Sequence, residues 1–170
     1  KNKIDSFRGT GRIVAAGSYA EVSAKAGAGV KTIDHRPHLL LPGFIDAHVH
    51  VPQMQVIASY GAELLDWLNN YTFPEESKFN DAQHGRRIAR LFVDEMLRHG
   101  TTTVAAYCSV HKQSAEAFFA ETHERNLLTI AGKVMMDRNA PDAVLDTPQT
   151  GYDDTRALIA QWHGKGRQLY

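Results

Sequence analysis

The feature that most constrains the fold is a regular alternation of apolar and amphipathic segments from about residue 39 onward. The almost continuously apolar run Leu39–Val49 is typical of a strand buried on both faces of a sheet. Residues 101–110 and 127–136 form further apolar, β-branched runs, and helical patterns separate the three. Strands that alternate with helices predict an α/β fold with a parallel sheet, either an open doubly wound sheet or a barrel.

The helical segments carry start and stop signals in the form of capping residues, glycines and a proline. A short helix over 62–68 is expected to be broken at Pro74, and the next helix to start with a cap at Asn80 or Asp81 and to stop at Gly100. A third helix is expected to start with a cap at Ser114, and a last helix over 153–166 to stop at Gly164 and Gly166.

The choice between an open sheet and a barrel depends on the loop after the first strand. No GxGxxG or GxxxxGK[ST] motif is present there, so the phosphate cradle of an open nucleotide-binding sheet is missing and a barrel is favoured. A complete (β/α)8 barrel takes about 250 residues. Residues 41–170 hold three βα units, with a fourth strand expected at "RQLY". We therefore expect the first part of a TIM-like (β/α)8 barrel, an incomplete one.

Residues 1–40 follow a different pattern. A short apolar run between Gly11 and Gly17 predicts a strand, and "VKTID" (30–34) predicts another. No helix of useful length is expected before position 60. We interpret this segment as part of a small β-sandwich domain and, since it does not begin with methionine, expect sequence to be lost upstream.

Composition excludes several classes of function. Lys and Arg number 19, as do Asp and Glu, so the clustered basic charge of a nucleic-acid or anionic-membrane binder is not expected. The single cysteine, Cys108, permits no internal disulfide and no CxxC zinc site. No apolar run approaches the roughly 20 residues that span a bilayer. These features predict a cytoplasmic protein.

The chemistry is concentrated in "DAHVHVPQ", where the first strand stops. His48 and His50 are two residues apart and so share one side of the strand. They lie at its carboxyl end, where barrel active sites are found, and neutral imidazole is a common zinc ligand. Asp46 is expected to support a ligand or the strand end. Five other histidines lie in polar or helical contexts and are expected to be solvated: His35, His84, His99, His123 and His163.

Several stretches together resemble guanine deaminases, a branch of the amidohydrolase superfamily: "LLLPGFIDAHVHVPQ", "LLDWLNNYTFPEE", "HGTTTVAAYCSVH" and "IAGKVMMDRNAP". The resemblance implies zinc-dependent deamination of guanine to xanthine and ammonia, with zinc bound by His48 and His50 and the purine contacted by Gln53. Iron is an alternative metal, and a homodimer is expected.

The resemblance also implies residues that this chain does not contain. Further histidines, an aspartate, an acid/base glutamate and an Arg-Phe pair belong to later strands. The catalytic residues are therefore expected beyond Tyr170, and none is expected within the chain. Taken alone, these residues are expected to be inactive. The alternatives are another amidohydrolase deaminase or chlorohydrolase, which the HxPQ and YTFPEE stretches disfavour, and a catalytically inert fragment.

Four further residues are candidates for minor roles. Trp67 is expected either to line the purine pocket or to belong to an ordinary helix core. His111, just past the second strand, lies near the expected rim of the site. Arg138 and Asn139 follow the third strand and are expected to hold their loop. A contact of these residues with the pocket is the alternative role.

Overall fold

The computed structural model describes residues 4–7 and 12–170 of the chain. Two compact units are present, residues 1–41 and 42–170. None of the helices in the described ranges is long and apolar enough to cross a membrane.

The first unit contains two antiparallel strands, β1 (Ile4–Phe7) and β2 (Ile13–Gly17), followed by helix α1 (Tyr19–Ala26). The strand predicted before Gly17 is confirmed, and Gly11, its predicted starting turn, lies outside the described residues. The prediction that no helix precedes position 60 is wrong.

A capping box explains helix α1. The Ser18 side chain accepts a hydrogen bond from the backbone N–H of Glu21, and the Glu21 carboxylate accepts one in return from the backbone N–H of Ser18. This local signal starts a helix without long apolar periodicity. The segment 30–34, predicted as a strand, has no regular secondary structure.

The second unit is built on a four-stranded parallel sheet in the order β3-β4-β5-β6. Its strands are β3 (Phe44–His50), β4 (Thr101–Tyr107), β5 (Leu128–Gly132) and β6 (Gln168–Leu169). The predicted parallel α/β sheet is confirmed, as is the start of a fourth strand near the end of the chain.

Helices connect these strands. The connections contain α2 (Leu64–Trp67), α3 (Phe73–Ser77), α4 (Ala82–Arg98), α5 (Lys112–Glu124) and α6 (Pro148–Trp162), with short 3-10 helices at Val51–Val56, Lys78–Asn80 and Asp142–Val144 and a π-helical turn at Leu68–Thr72. Helices α4 and α5 pack together, and the core between helices and sheet includes fully buried Val93, Val104, Phe118 and Leu158.

The prediction for the first strand is wrong in extent and in burial. Strand β3 begins at Phe44 because Pro42 has no N–H for a strand ladder and Gly43 weakens the strand start. Leu39, Leu40 and Leu41 precede it and are exposed. Phe44 and Ile45 are 59% and 72% exposed, because within the described residues β3 lies at the edge of the sheet.

Three predicted helix limits are confirmed and three are wrong. Helix α6 ends at Trp162, just before Gly164, which has a left-handed conformation with φ of 76°. Asp81 caps α4, its side chain accepting from the N–H of Gln83, and Gly100 takes a left-handed conformation with φ of 82°. Pro74 does not break the helical segment, because it lies in the first turn of α3, where no N–H is needed.

The other two corrections concern helix starts. Helix α5 starts after His111, and Ser114 instead accepts a hydrogen bond from the N–H of Ser109 at 2.7 Å. Helix α6 starts at Pro148 because Thr147 caps it in a reciprocal pair with Thr150, a polar first turn that apolar periodicity does not detect.

Candidate metal and ligand site

The two histidines of the HxH motif lie side by side at the carboxyl end of β3. Their ring centroids are 5.4 Å apart. The pairing of β3 with β4 is irregular between Asp46 and Val49, and within this stretch the backbone N–H of His48 donates to Asp46 Oδ1 at 3.0 Å. A bulge of this kind redirects side chains near strand ends. Asp46 therefore supports the strand end at His48.

Tyr107, at the end of the neighbouring strand β4, contacts both imidazoles. Its ring centroid lies 4.9 Å from that of His50 and 5.1 Å from that of His48. His50 and Tyr107 are register partners in the parallel pair, which explains why the rings meet. The aromatic ring of Tyr107 therefore packs against one side of the histidine pair.

Partial burial favours the neutral form of His50. Burial lowers its pKa, and the neighbouring His48 lowers it further. A neutral imidazole is the form that binds a metal. Within residues 4–7 and 12–170, no group of three or more histidine, cysteine or acidic side chains could hold an ion. The two imidazoles therefore offer nitrogen donors of the kind zinc takes, but they form only part of a zinc ligand set.

Gln53 lies in the 3-10 helix that follows β3 directly. Its amide Nε2 donates to Glu76 Oε1 on helix α3 at 3.4 Å. Glu76 is only 6% exposed, and burial raises the pKa of its carboxyl group, while the hydrogen bond from Gln53 opposes that rise. The pair links the segment after the histidines to the YTFPEE segment.

A cavity of about 660 Å³ lies along the edge strand β3 and extends from its carboxyl end to His99 and Thr101, at the amino end of β4. Its lining includes His50, Gln53 and Trp67, together with apolar side chains of α4 such as Phe92 and Met96. Trp67 is half-buried and belongs to the short helix α2. The structure thus brings three of the four predicted metal- or purine-binding residues to one cavity, whereas His48 is not part of its lining.

Tyr170, beyond which the catalytic groups are expected, packs on the helical layer and does not line this cavity. Its ring centroid lies 6.2 Å from that of Phe119 on α5, and its hydroxyl group donates to Thr155 Oγ1 on α6 at 3.3 Å. Its backbone N–H donates to His163 Nδ1 at 3.3 Å. These contacts give Tyr170 a packing role, and the placement of the catalytic residues beyond it stays a prediction.

His111 lies at the start of α5, near a buried ion pair. Its Nε2 is buried and has no hydrogen-bond partner among the described residues. Burial lowers its pKa, and a hydrogen bond to the backbone of Ala143 works in the opposite direction. Lys133 pairs with Asp146 close by, and both of these side chains are buried.

The remaining residues considered for a role are either exposed on the surface or chemically unreactive. Arg138 is exposed and hydrogen-bonds Asp137, its chain neighbour, while Asn139 has a left-handed backbone conformation with φ of 56°. Burial raises the pKa of the Cys108 thiol to about 12, so this cysteine is not a thiolate nucleophile. His84, predicted to be solvated, is buried against the edge of Phe79, and that prediction is wrong.

Sequence reasoning missed Tyr107 and Glu76. Tyr107 could have been found from register, because the ends of adjacent parallel strands meet at one edge of a sheet and both "HVH" and "AAY" end their strands. Glu76 had no comparable signal, since a glutamate in a polar loop is normally solvated.

Comparisons with known proteins cover most of this chain. The pattern of the amidohydrolase family matches residues 39–168. The guanine deaminase of Escherichia coli K12 is 45% identical over 141 residues, which cover 83% of this chain and 32% of that protein. This chain therefore spans about a third of the length of that curated relative.

Among solved structures, guanine deaminases are again similar to this chain. The structure of E. coli guanine deaminase superposes with a TM-score of 0.89 at 40% identity, covering 93% of this chain and 37% of that one. Guanine deaminase from C. acetobutylicum, solved with guanine bound in its active site, gives a TM-score of 0.84 at 32% identity, covering 94% and 38%. The resemblance to guanine deaminases is confirmed, and the chain belongs to the amidohydrolase family.

Proposed function

We propose that this chain forms part of a zinc-dependent guanine deaminase that converts guanine and water to xanthine and ammonia. The observation that carries the proposal is that His50, Gln53 and Trp67 line one cavity, beside His48, in a segment that is similar to guanine deaminases. The hydrolysis replaces the exocyclic C2–N bond of guanine with a C2–O bond, and the amino group leaves as ammonia.

His48 and His50 would hold the metal. Their imidazoles suit zinc, which takes nitrogen donors, although iron accepts the same donor type. When bound, zinc lowers the pKa of water and so supplies a nucleophile at neutral pH. Two histidines do not complete a catalytic zinc site. The remaining ligands and the acid/base group therefore come from outside the described residues in this proposal.

Gln53 and Trp67 would bind the purine. The carboxamide of Gln53 supplies a hydrogen-bonding group for a purine edge, which carries both donors and acceptors. The indole of Trp67 offers a flat apolar surface to a planar base. The apolar side chains of α4 on the cavity wall favour removal of the base from water. A homodimer and a cytoplasmic location belong to the same proposal.

The test measures ammonia and xanthine production by the full-length product of the reading frame that encodes this sequence. Guanine is supplied as substrate, and zinc is counted per chain. We expect turnover with about one zinc per chain, and loss of both in a His50→Asn variant. His35→Asn is the matched control because His35 is an exposed histidine of the other compact unit, and it should keep wild-type zinc and turnover.

Two results would contradict the proposal. The first is His50→Asn retaining the zinc content of the wild type. The second is ammonia release from an aminotriazine or adenosine but not from guanine, which would instead support the alternative of another amidohydrolase deaminase. A folded, full-length protein with no turnover on any of these compounds would support the inert alternative.

A further inference from the structure

We propose that Glu76 is a positioning residue that holds the amide nitrogen of Gln53, so that Gln53 presents only its carbonyl oxygen to the purine. The inference deepens the proposed function and rests on it. It assigns a role to a buried carboxylate in the YTFPEE segment and predicts that the bound base offers an N–H donor at this point.

The contact between the two side chains fixes the orientation of the amide. Gln53 Nε2 lies 3.4 Å from Glu76 Oε1, and the two residues are 23 positions apart in sequence, on different helical segments. A carboxylate has only acceptor atoms, and the only donor of a glutamine side chain is its amide nitrogen. The pairing therefore dictates which end of the amide faces Glu76.

The same pairing leaves the carbonyl oxygen of Gln53 free. Gln53 Oε1 accepts no hydrogen bond from the described residues, and it is not among their buried, unpartnered polar atoms. Gln53 also lines the cavity that contains His50 and Trp67. An open acceptor on the wall of a cavity next to the histidine pair is available to a ligand N–H group.

Glu76 is buried without a cation. It is 6% exposed, and no lysine or arginine of the described chain forms an ion pair with it. A buried acid without a positive partner destabilises the fold unless hydrogen bonds compensate. Within the described residues, Gln53 is the side-chain hydrogen-bond donor to Glu76. We therefore attribute the role of this buried carboxyl group to its contact with Gln53.

The surrounding structure fixes the position of Glu76. Its backbone carbonyl oxygen accepts a hydrogen bond from Ser109 Oγ at 3.1 Å. The backbone N–H of Ser109 in turn donates to Ser114 Oγ at 2.7 Å, and both serines are buried. Glu76 is therefore tied to the carboxyl end of β4 and the start of α5, and it can hold the amide at a defined position.

The test exchanges the two side chains. Gln53→Glu alone places two carboxylates together, whereas Gln53→Glu with Glu76→Gln restores a donor and acceptor pair and still presents an oxygen to the cavity. Glu76→Gln alone keeps the shape but removes the preference for one amide orientation. Glu75→Gln is the matched control, because Glu75 is the preceding residue of α3 and pairs with Lys78 instead.

We expect changes in KM for guanine at pH 8 with smaller changes in kcat and with zinc content unchanged. Gln53→Glu should raise KM by about tenfold to a hundredfold, the effect of an unmatched buried polar pair, and the exchanged double variant should return it to within about threefold of wild type. Glu76→Gln should raise KM by about threefold to tenfold, because the amide of Gln53 is then no longer held in one orientation. Glu75→Gln should match the wild type.

The proposal is overturned if the exchanged double variant is no better than Gln53→Glu, or if Glu76→Gln, folded and with full zinc, has the wild-type KM. These results can occur with guanine turnover intact, so they are separate from failure of the proposed function. If the wild type instead turns over another purine, the same variants measured with that purine decide whether Glu76 positions Gln53.

Discussion

The ring of His50 stacks on the ring of Tyr107, with centroids 4.9 Å apart and planes inclined by 21°. The two residues are register partners at the carboxyl ends of adjacent parallel strands. Tyr107 also touches His48, so one aromatic ring limits the rotation of both imidazoles. Histidines held in one orientation lose less freedom when a metal binds.

Tyr107→Ala should weaken zinc binding. Loss of an aromatic pair amounts to about 0.5–1.5 kcal/mol, or roughly twofold to tenfold in the dissociation constant. A competition titration against a chelator measures it in the full-length protein. Tyr107→Phe keeps the ring and should bind zinc like the wild type, and equal weakening in both variants would show that the hydroxyl group, not the ring, matters.

Lys133→Met should destabilise the fold strongly. Lys133 follows β5 and pairs with Asp146, and the two side chains are 0% and 6% exposed. Breaking a buried pair leaves an uncompensated charge and costs about 3–5 kcal/mol. Urea unfolding measures the change. Lys112→Met removes a half-exposed pair with Glu116 and should cost no more than about 1 kcal/mol. Equal losses in the two variants would contradict this difference between buried and exposed pairs.

Glu76→Gln should change how stability depends on pH. Because burial raises the pKa of Glu76 above its ordinary value of 4.5, the folded state holds this proton more tightly than the unfolded state does. The contribution of Glu76 to stability is therefore largest below pH 4.5 and declines as pH rises through the raised pKa. The free energy of unfolding of wild type, relative to Glu76→Gln, should fall between pH 4.5 and 8. A constant difference across that range would refute a raised pKa.

Local sequence signals predicted most elements of the second unit because their apolar periodicity is strong. The long helix between Asp81 and Gly100 was predicted with its cap and its stop, since both use short-range chemistry. Two errors occur where polar residues that cap a helix were not recognised, at Ser18 and at Thr147. Periodicity carries no information about such caps.

The candidate site was predictable only where its residues are neighbours in sequence. His48, His50 and Gln53 share one short segment, so strand geometry and a resemblance were enough to select them. The contact of Gln53 with Glu76 joins residues 23 positions apart, and that of His50 with Tyr107 depends on strand register. The first contact arises from tertiary packing and could not be read from the sequence alone, whereas the second can be inferred once the ends of the two strands are aligned in register.

Gly85→Ala should stabilise the protein. Gly85 is buried within helix α4, and a methyl group there would make ordinary contacts of 3.7 Å with the Ala117 side chain and 3.8 Å with Phe79. Replacing a helical glycine with alanine lowers the entropy of the unfolded chain, and the expected gain is about 0.5–1 kcal/mol.

Gly100→Ala is the matched comparison, because Gly100 has φ of 82°, a left-handed conformation that disfavours a side chain. It should destabilise by about 1–2 kcal/mol. Urea unfolding of both variants measures the two effects with opposite signs. Destabilisation by Gly85→Ala would mean that the α4–α5 contact is tighter than these distances indicate, because a methyl group that fits should add packing to the stabilisation that comes from the lower entropy of the unfolded chain.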